Sequence, residues 1–132
     1  MAFTYNLSAK IGARFVHLKR GVIKRTFAAV IDTTPVDTGL LKGNWITARG
    51  EGASGPVLAT LDPSGASTKQ AMERAVDSIV DKADGTVSLT NNAGYANTIE
   101  YDGHSHTKAP NGMVRINLVQ VQRFIDEEAR KP

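Results

Sequence analysis

Residues 8–31 place the strongest single constraint on this fold. At roughly 100° per residue, Ile11, Phe15, Leu18, Val22 and Ala29 fall on one line of a helix, and Val16, Ile23, Phe27 and Val30 widen that stripe to about half the circumference. Ser8 offers an N-cap oxygen to a free first-turn N–H. Lys10, Arg14, His17, Lys24 and Arg25 gather on the other side. A helix so broadly apolar must be covered by the rest of the chain. Gly12 and Gly21 each cost about 1 kcal/mol against Ala inside a helix, which marks them as points of close packing or bending.

The covering elements follow in order. The helix ends at Asp32-Thr33-Thr34, because Pro35 disfavours helical geometry in the residue before it. In TPVDTGLLKGNW (34–45), Pro35 and Gly39 fix a turn, Asp37 and Thr38 can hydrogen-bond their own backbone, and Leu40-Leu41 returns to the core. A strand carrying Trp45, the single tryptophan, is predicted over 43–48. Residues 49–66 are rich in Gly and Pro and read as a loop or extended hairpin, with 57–61 its only strand-like piece. Ser67 or Thr68 caps a second helix over 67–83, in which Ala71, Met72, Ala75, Val76, Ile79 and Val80 repeat at helical spacing. Its acidic face, Glu73, Asp77 and Asp81, matches the basic face of the first helix.

Asp84-Gly85 is a turn, and 86–90 alternates as a half-buried strand. Residues 95–101 form a short helix or turn with Tyr95, Ala96 and Ile99 facing inward. A last helix runs over 113–129, with Asn111 as its cap and Val114, Leu118, Val121 and Ile125 as its apolar face; residues 114–118 also fit a strand. The expected fold is therefore α+β: a small mixed or antiparallel sheet packed against a long N-terminal helix, a middle helix and a C-terminal helix, in a single domain over 1–132.

Charge and composition narrow the function. All 13 carboxylates lie at Asp32 or beyond, whereas residues 1–31 carry six Lys and Arg. Such asymmetry concerns partners and solvation, and offers Lys10, Arg14, Lys24 and Arg25 as contacts for DNA or an acidic partner. No aromatic is interleaved with them as a base-stacking surface requires, so sequence-specific recognition is not indicated. The absence of cysteine excludes disulfides, zinc–thiolate sites and thiol catalysis. Neither an apolar signal region nor an 18-residue apolar run occurs, so no signal peptide or membrane contact is expected.

The stretch 91–112 holds the densest chemistry. Glu100, Asp102, His104 and His106 are four possible metal ligands, but they lie in one Gly-containing segment, and structural sites usually draw ligands from two rigid elements. Ser105 lacks a nucleophile elbow. Asp37-Thr38-Gly39 matches the aspartic-protease triplet, yet such an enzyme needs a second carboxylate sharing the site. No phosphate-binding or dinucleotide motif is present. The expectation is no enzyme, no metal and no cofactor. The competing readings are a small basic nucleic-acid-binding protein and, more weakly, a metal-dependent hydrolase built on His104 and His106.

Several blocks together resemble the tail-completion, or neck, protein family of long-tailed (siphophage- and myophage-type) bacteriophages. They are Pro35-Val36-Asp37-Thr38-Gly39, Asn44-Trp45, Tyr95-Ala96, Glu100-Tyr101, Ser105 and Ala109-Pro110-Asn111-Gly112-Met113-Val114-Arg115, in family-like order and spacing across about two thirds of the chain. The chain departs from the pattern at Asp102 and at His106-Thr107-Lys108. The resemblance implies a structural virion protein of the neck, made in the host bacterial cytoplasm. It would complete the tail and join it to the head connector as a hexameric or dodecameric ring. Its partners would be the head–tail connector or adaptor, the tail terminator or tail tube protein, and genomic DNA in the lumen. Residues 49–66 and 102–112 are the expected contacts between subunits or neighbouring rings.

Overall fold

The computed structural model describes residues 2–3, 13–36, 38–80, 86–94, 96, 100 and 112–131, with backbone alone at 2, 3 and 13–15. Strand β1 (Ala2–Phe3), helix α1 (Ala13–Thr33), the one-turn helix α2 (Leu40–Gly43), strand β2 (Trp45–Arg49), helix α3 (Ala66–Ile79), strand β3 (Val87–Asn91), the one-turn helix α4 (Arg115–Leu118) and helix α5 (Val121–Ala129) follow one another. Ala96 and Glu100 also have helical backbone. The class is α+β, as the periodicities predict. Ser8, Ile11, Gly12, Asp81 and the Asp84-Gly85 turn lie outside the described residues.

The sheet is antiparallel throughout, in the order β1-β3-β2, with Trp45 opposite Asn91 and Arg49 opposite Val87. The central position of β3 corrects one expectation. An alternating half-buried strand was predicted, but all five residues of β3 are buried. Val87 and Leu89 join the core beneath the helices. On the opposite face Thr90 accepts a hydrogen bond from the Ala53 N–H (3.1 Å), so the chain leaving β2 covers that side.

Helix α1 buries Val22, Ile23, Phe27, Val30 and Ile31 completely. Its buried face centres on Ile23, Phe27, Val30 and Ile31 (i, i+4, i+7, i+8), displaced from Leu18 and Ala29, which stay partly exposed. Met72, Val76 and Val80 of the α3 region, Trp45, Leu41, Leu89, Met113 and Val114 complete the core. Each large side chain so buried contributes about 1.5–3 kcal/mol. The ion pairs of α1 with its neighbours are half-exposed except at Glu128, and the half-exposed ones contribute under about 1 kcal/mol each, so they orient helices that the apolar core holds.

Two further expectations are corrected. Neither Ser67 nor Thr68 caps α3. The N-cap is Gly65, in the left-handed region at φ 78°, and the capping oxygens come from Asp62. The last helix is two pieces, not one, and 115–118 is a helical turn, not a strand. Each piece is tied separately to α1. The buried Asn117 amide donates to Met113 O (2.6 Å), Thr33 Oγ1 (2.7 Å) and Ala29 O (3.2 Å), fixing α4 on the end of α1. Helix α5 docks farther back, where a Cβ at Gly21 would lie 2.5 Å from Glu128 Oε2. Gly21 is thus the close-packing point its sequence position suggested. No described helix is long and apolar enough to cross a membrane.

Candidate functional site

The turn after α1 is built as a platform for residues 50–65, here called the strap. Thr38 Oγ1 accepts from the Leu40 N–H (3.3 Å), closing the predicted side-chain turn. Gly39 follows at φ 89°. Its carbonyl accepts from both Gly43 N–H (2.9 Å) and Asp62 N–H (3.1 Å). A Cβ here would lie 2.6 Å from Pro63 N, so glycine is required by approach as well as by φ. Pro35 is half-buried beside this turn. Asp37 lies outside the described residues.

Asn44 then clamps the strap. It has no exposed surface. Its amide donates to Leu40 O (2.7 Å) and Leu58 O (3.0 Å), and its oxygen accepts from Leu58 N–H (2.6 Å). One side chain therefore satisfies both backbone groups of Leu58, as a paired strand would. Trp45, next in sequence, turns into the core, and its indole N–H donates to Thr34 Oγ1 (2.9 Å). The strap carries no strand: residues 57–61 are extended but unladdered. Val57, Leu58 and Leu61 are 49%, 38% and 62% exposed.

Asp62 ends the strap and starts α3. Its Oδ2 accepts from Thr68 N–H (2.8 Å) and from the Thr68 hydroxyl (2.7 Å), and Oδ1 accepts from Gly65 N–H (3.2 Å). Burial on its own would raise the carboxyl's pKa. The Thr68 and Gly65 hydrogen bonds and the Lys42 charge outweigh it and hold Asp62 below the usual carboxylate range. The sequence reading missed Asp62, which stands three residues before the Gly65 N-cap and so outside the local capping pattern.

The second anchor is Glu100, fully buried. Oε1 accepts from Met113 N–H (2.6 Å) and Val114 N–H (2.7 Å), while Oε2 accepts from Arg115 N–H (3.1 Å) and Arg115 Nε (2.8 Å). Arg115 also donates to the Glu100 carbonyl. The carboxylate thus binds three successive free N–H groups where α4 begins, the position at which a helix favours negative charge. Gly112, at φ 87°, permits the approach, since a Cβ there would lie 2.5 Å from Glu100 Oε2. The structure brings Glu100, Gly112, Met113 and Arg115 together as one unit, and Ala96 is buried as well. Tyr95, Tyr101, Ala109, Pro110 and Asn111 lie outside the described residues, as do Asp102, His104, Ser105 and His106. Both Glu100 oxygens are occupied by N–H donors, so a cation there would have to displace them. Among the described residues no group of three or more His, Asp or Glu side chains is placed to hold a metal ion.

The basic residues have partners within the chain. Lys24 pairs with Asp77 of α3 at 2.6 Å, so the two predicted faces do meet. Arg25 pairs with Glu127 and Glu128 of α5 and lies 4.4 Å over the Phe124 ring. The Arg25 hydrogen bond, against a smaller desolvation penalty, holds Glu127 below the usual carboxylate range. Lys10 and the Arg14 side chain lie outside the described residues.

A groove of about 310 Å³ lies between β2, the strap and the start of α3. Trp45, Thr47, Leu58, Thr60, Ala71 and Met72 contribute to its walls, and no charged side chain lines it. Thr47 Oγ1 is buried there without a hydrogen-bond partner. Compared with known protein families, curated proteins and solved structures, the chain matches none.

Proposed function

We propose that this chain is a structural protein of the bacteriophage neck, which completes the tail and joins it to the head connector as a ring around the DNA channel. One observation carries the reading. The residues that resemble the neck family are supports, not reagents: Gly39 and Asn44 hold an exposed apolar strap, and Glu100, Gly112 and Arg115 fix the return of the chain to α1. Such a layout suits contact with neighbouring subunits, with the connector or adaptor on one side and the tail terminator or tail tube on the other. The protein would then reside in the virion.

The test is genetic and morphological. A phage carrying this gene is grown with the gene inactivated, and lysates are viewed by negative-stain electron microscopy. Separate filled heads and separate tails are expected, with joining restored when the purified protein is added. Normally joined, infectious particles without the protein would overturn the reading.

A further inference from the structure

We infer that the outer edge of β2 is completed by the strap of a second copy of this chain, an inference that rests on the ring reading above. Strand β2 is a sheet edge, paired on one side only among the described residues. The Gly50 N–H donates to Thr86 O (3.0 Å), continuing the β2–β3 register. Antiparallel pairing alternates, so Ile46 and Ala48 exchange hydrogen bonds with β3 while the peptide groups of Trp45, Thr47 and Arg49 point outward. An open edge is a template for another strand unless charge, proline or a bulge blunts it. Here only Arg49, at its end, carries charge.

The neighbouring groove specifies the occupant. It is uncharged and largely apolar, and one of its walls holds the unpartnered Thr47 hydroxyl. What fits is an extended, uncharged segment that brings its own N–H and C=O groups. Residues 53–61, ASGPVLATL, are uncharged and run without turn or bend; Ala53 and Leu58 have their backbone groups engaged within the chain, and Val57, Ala59 and Leu61 are exposed. The strap cannot lie along its own edge. Asn44 holds Leu58 at the start of β2, and Gly39 holds Asp62 beyond it, so the strap crosses the end of the strand. Among the described residues, the edge of one copy and the outward side of the strap of the next are therefore complementary and both open. They are different patches, so repetition runs head to tail, which closes into a ring when the rotation allows.

The chain has no cysteine, so introduced thiols report cleanly. Arg49→Cys protein is mixed with Val57→Cys, Ala59→Cys or Leu61→Cys protein at concentrations where the wild type is oligomeric by mass photometry, and mixed disulfides are followed on non-reducing gels. Docking raises the local thiol concentration toward millimolar, so at least one strap variant should link to Arg49→Cys on the order of a hundredfold faster than in dilute, unassembled protein. Neither variant alone should link at that rate. Leu61→Lys, at a largely exposed position, should keep the wild-type melting temperature and lose the oligomer. Rings without mixed disulfides, or assembly unaffected by Leu61→Lys, would overturn the strap assignment and leave the ring reading standing. Rapid linking of Arg49→Cys to itself would replace it with edge-to-edge pairing. A wild type that stays monomeric with connector and tail proteins present would overturn both.

Discussion

Glu100→Gln replaces one acceptor oxygen of the buried carboxylate by an NH2 group and removes its charge. Whichever way the amide turns, two of the four donors now at Oε1 and Oε2 face another donor. The milder orientation keeps Met113 and Val114 bonded and gives up the Arg115 N–H and Nε. The Arg115 side chain is 51% exposed and can turn to water, so the main losses are one backbone N–H and the charge assistance at the other two. An orphaned donor costs about 1–3 kcal/mol, and each retained bond weakens by about 1 kcal/mol on loss of charge. The expected destabilisation is about 3–5 kcal/mol, roughly 10–20 °C in melting temperature for a chain of this size. Arg115→Met leaves three backbone donors on an intact carboxylate and removes the side-chain bonds to Oε2 and to the Glu100 carbonyl, so it should cost less, about 1–3 kcal/mol. Urea unfolding followed by circular dichroism measures both. A Glu100→Gln variant within about 0.5 kcal/mol of wild type would refute the cap, since surface changes alone fall in that range. Equal losses for the two variants would instead make the ion pair, not the cap, the source of stability.

Three other outcomes follow from the same geometry. Gly112→Ala must place a Cβ 2.5 Å from Glu100 Oε2 at φ 87°; the left-handed backbone strain alone is about 1 kcal/mol, and thermal unfolding should show a larger total loss than that. Asn44→Asp removes the two donors to Leu40 O and Leu58 O and sets a carboxylate against them, at a cost of about 1–3 kcal/mol per unsatisfied group. Hydrogen exchange should rise first in residues 50–62, and exchange confined to other segments would count against the clamp. Asp62 has a folded pKa below its unfolded value of about 3.9. Its contribution is therefore fully present above that unfolded value and is lost as pH falls through the lower folded pKa. Stability–pH curves should show Asp62→Asn with a shallower acid loss below about pH 4, and parallel curves for the two proteins would refute the assignment.

The helices and the fold class were legible because apolar spacing of 3.6 residues survives any loop arrangement. Met72 and Val76 announced their burial in this way. What stayed hidden depends on residues distant in sequence. The cap of α3 comes from Asp62, six residues ahead of Thr68, across a Pro-Ser-Gly turn that a local capping rule does not span. Five residues of β3 show alternation, but nothing in them says that the strap covers the second face. Asn117 reads as a polar interruption in an apolar helix, and only the docking of α4 on Thr33 gives its amide a purpose. Glu100 and Gly112-Met113-Val114-Arg115 were visible as motif residues. That the first is the cap of the second required the fold.

The uneven charge of the sequence also takes a different meaning. A basic first helix followed by all the acidic residues left open a solvated face, a contact for an outside partner, or pairing with the acidic face of the second helix. In the fold the basic helix meets later acidic residues, Lys24 pairing with Asp77 and Arg25 with Glu127 and Glu128, while Arg20 Nε donates to Val80 O at 2.6 Å. For Lys24 or Arg25 to bind phosphate, an existing pair must break, and for Arg25 its contact with Phe124 must also go. In the ring reading, DNA contact that spares these pairs is left to the other two candidate residues, Lys10 and Arg14. Each phosphate neutralised contributes a slope of about −0.9 to log K against log salt, so a subunit using those two gives about −2 and one using all four gives about −4. Fluorescence anisotropy with a short duplex separates the two. A slope near −4, or Lys24→Ala weakening DNA binding as strongly as Lys10→Ala, would show that the internal pairs yield to phosphate.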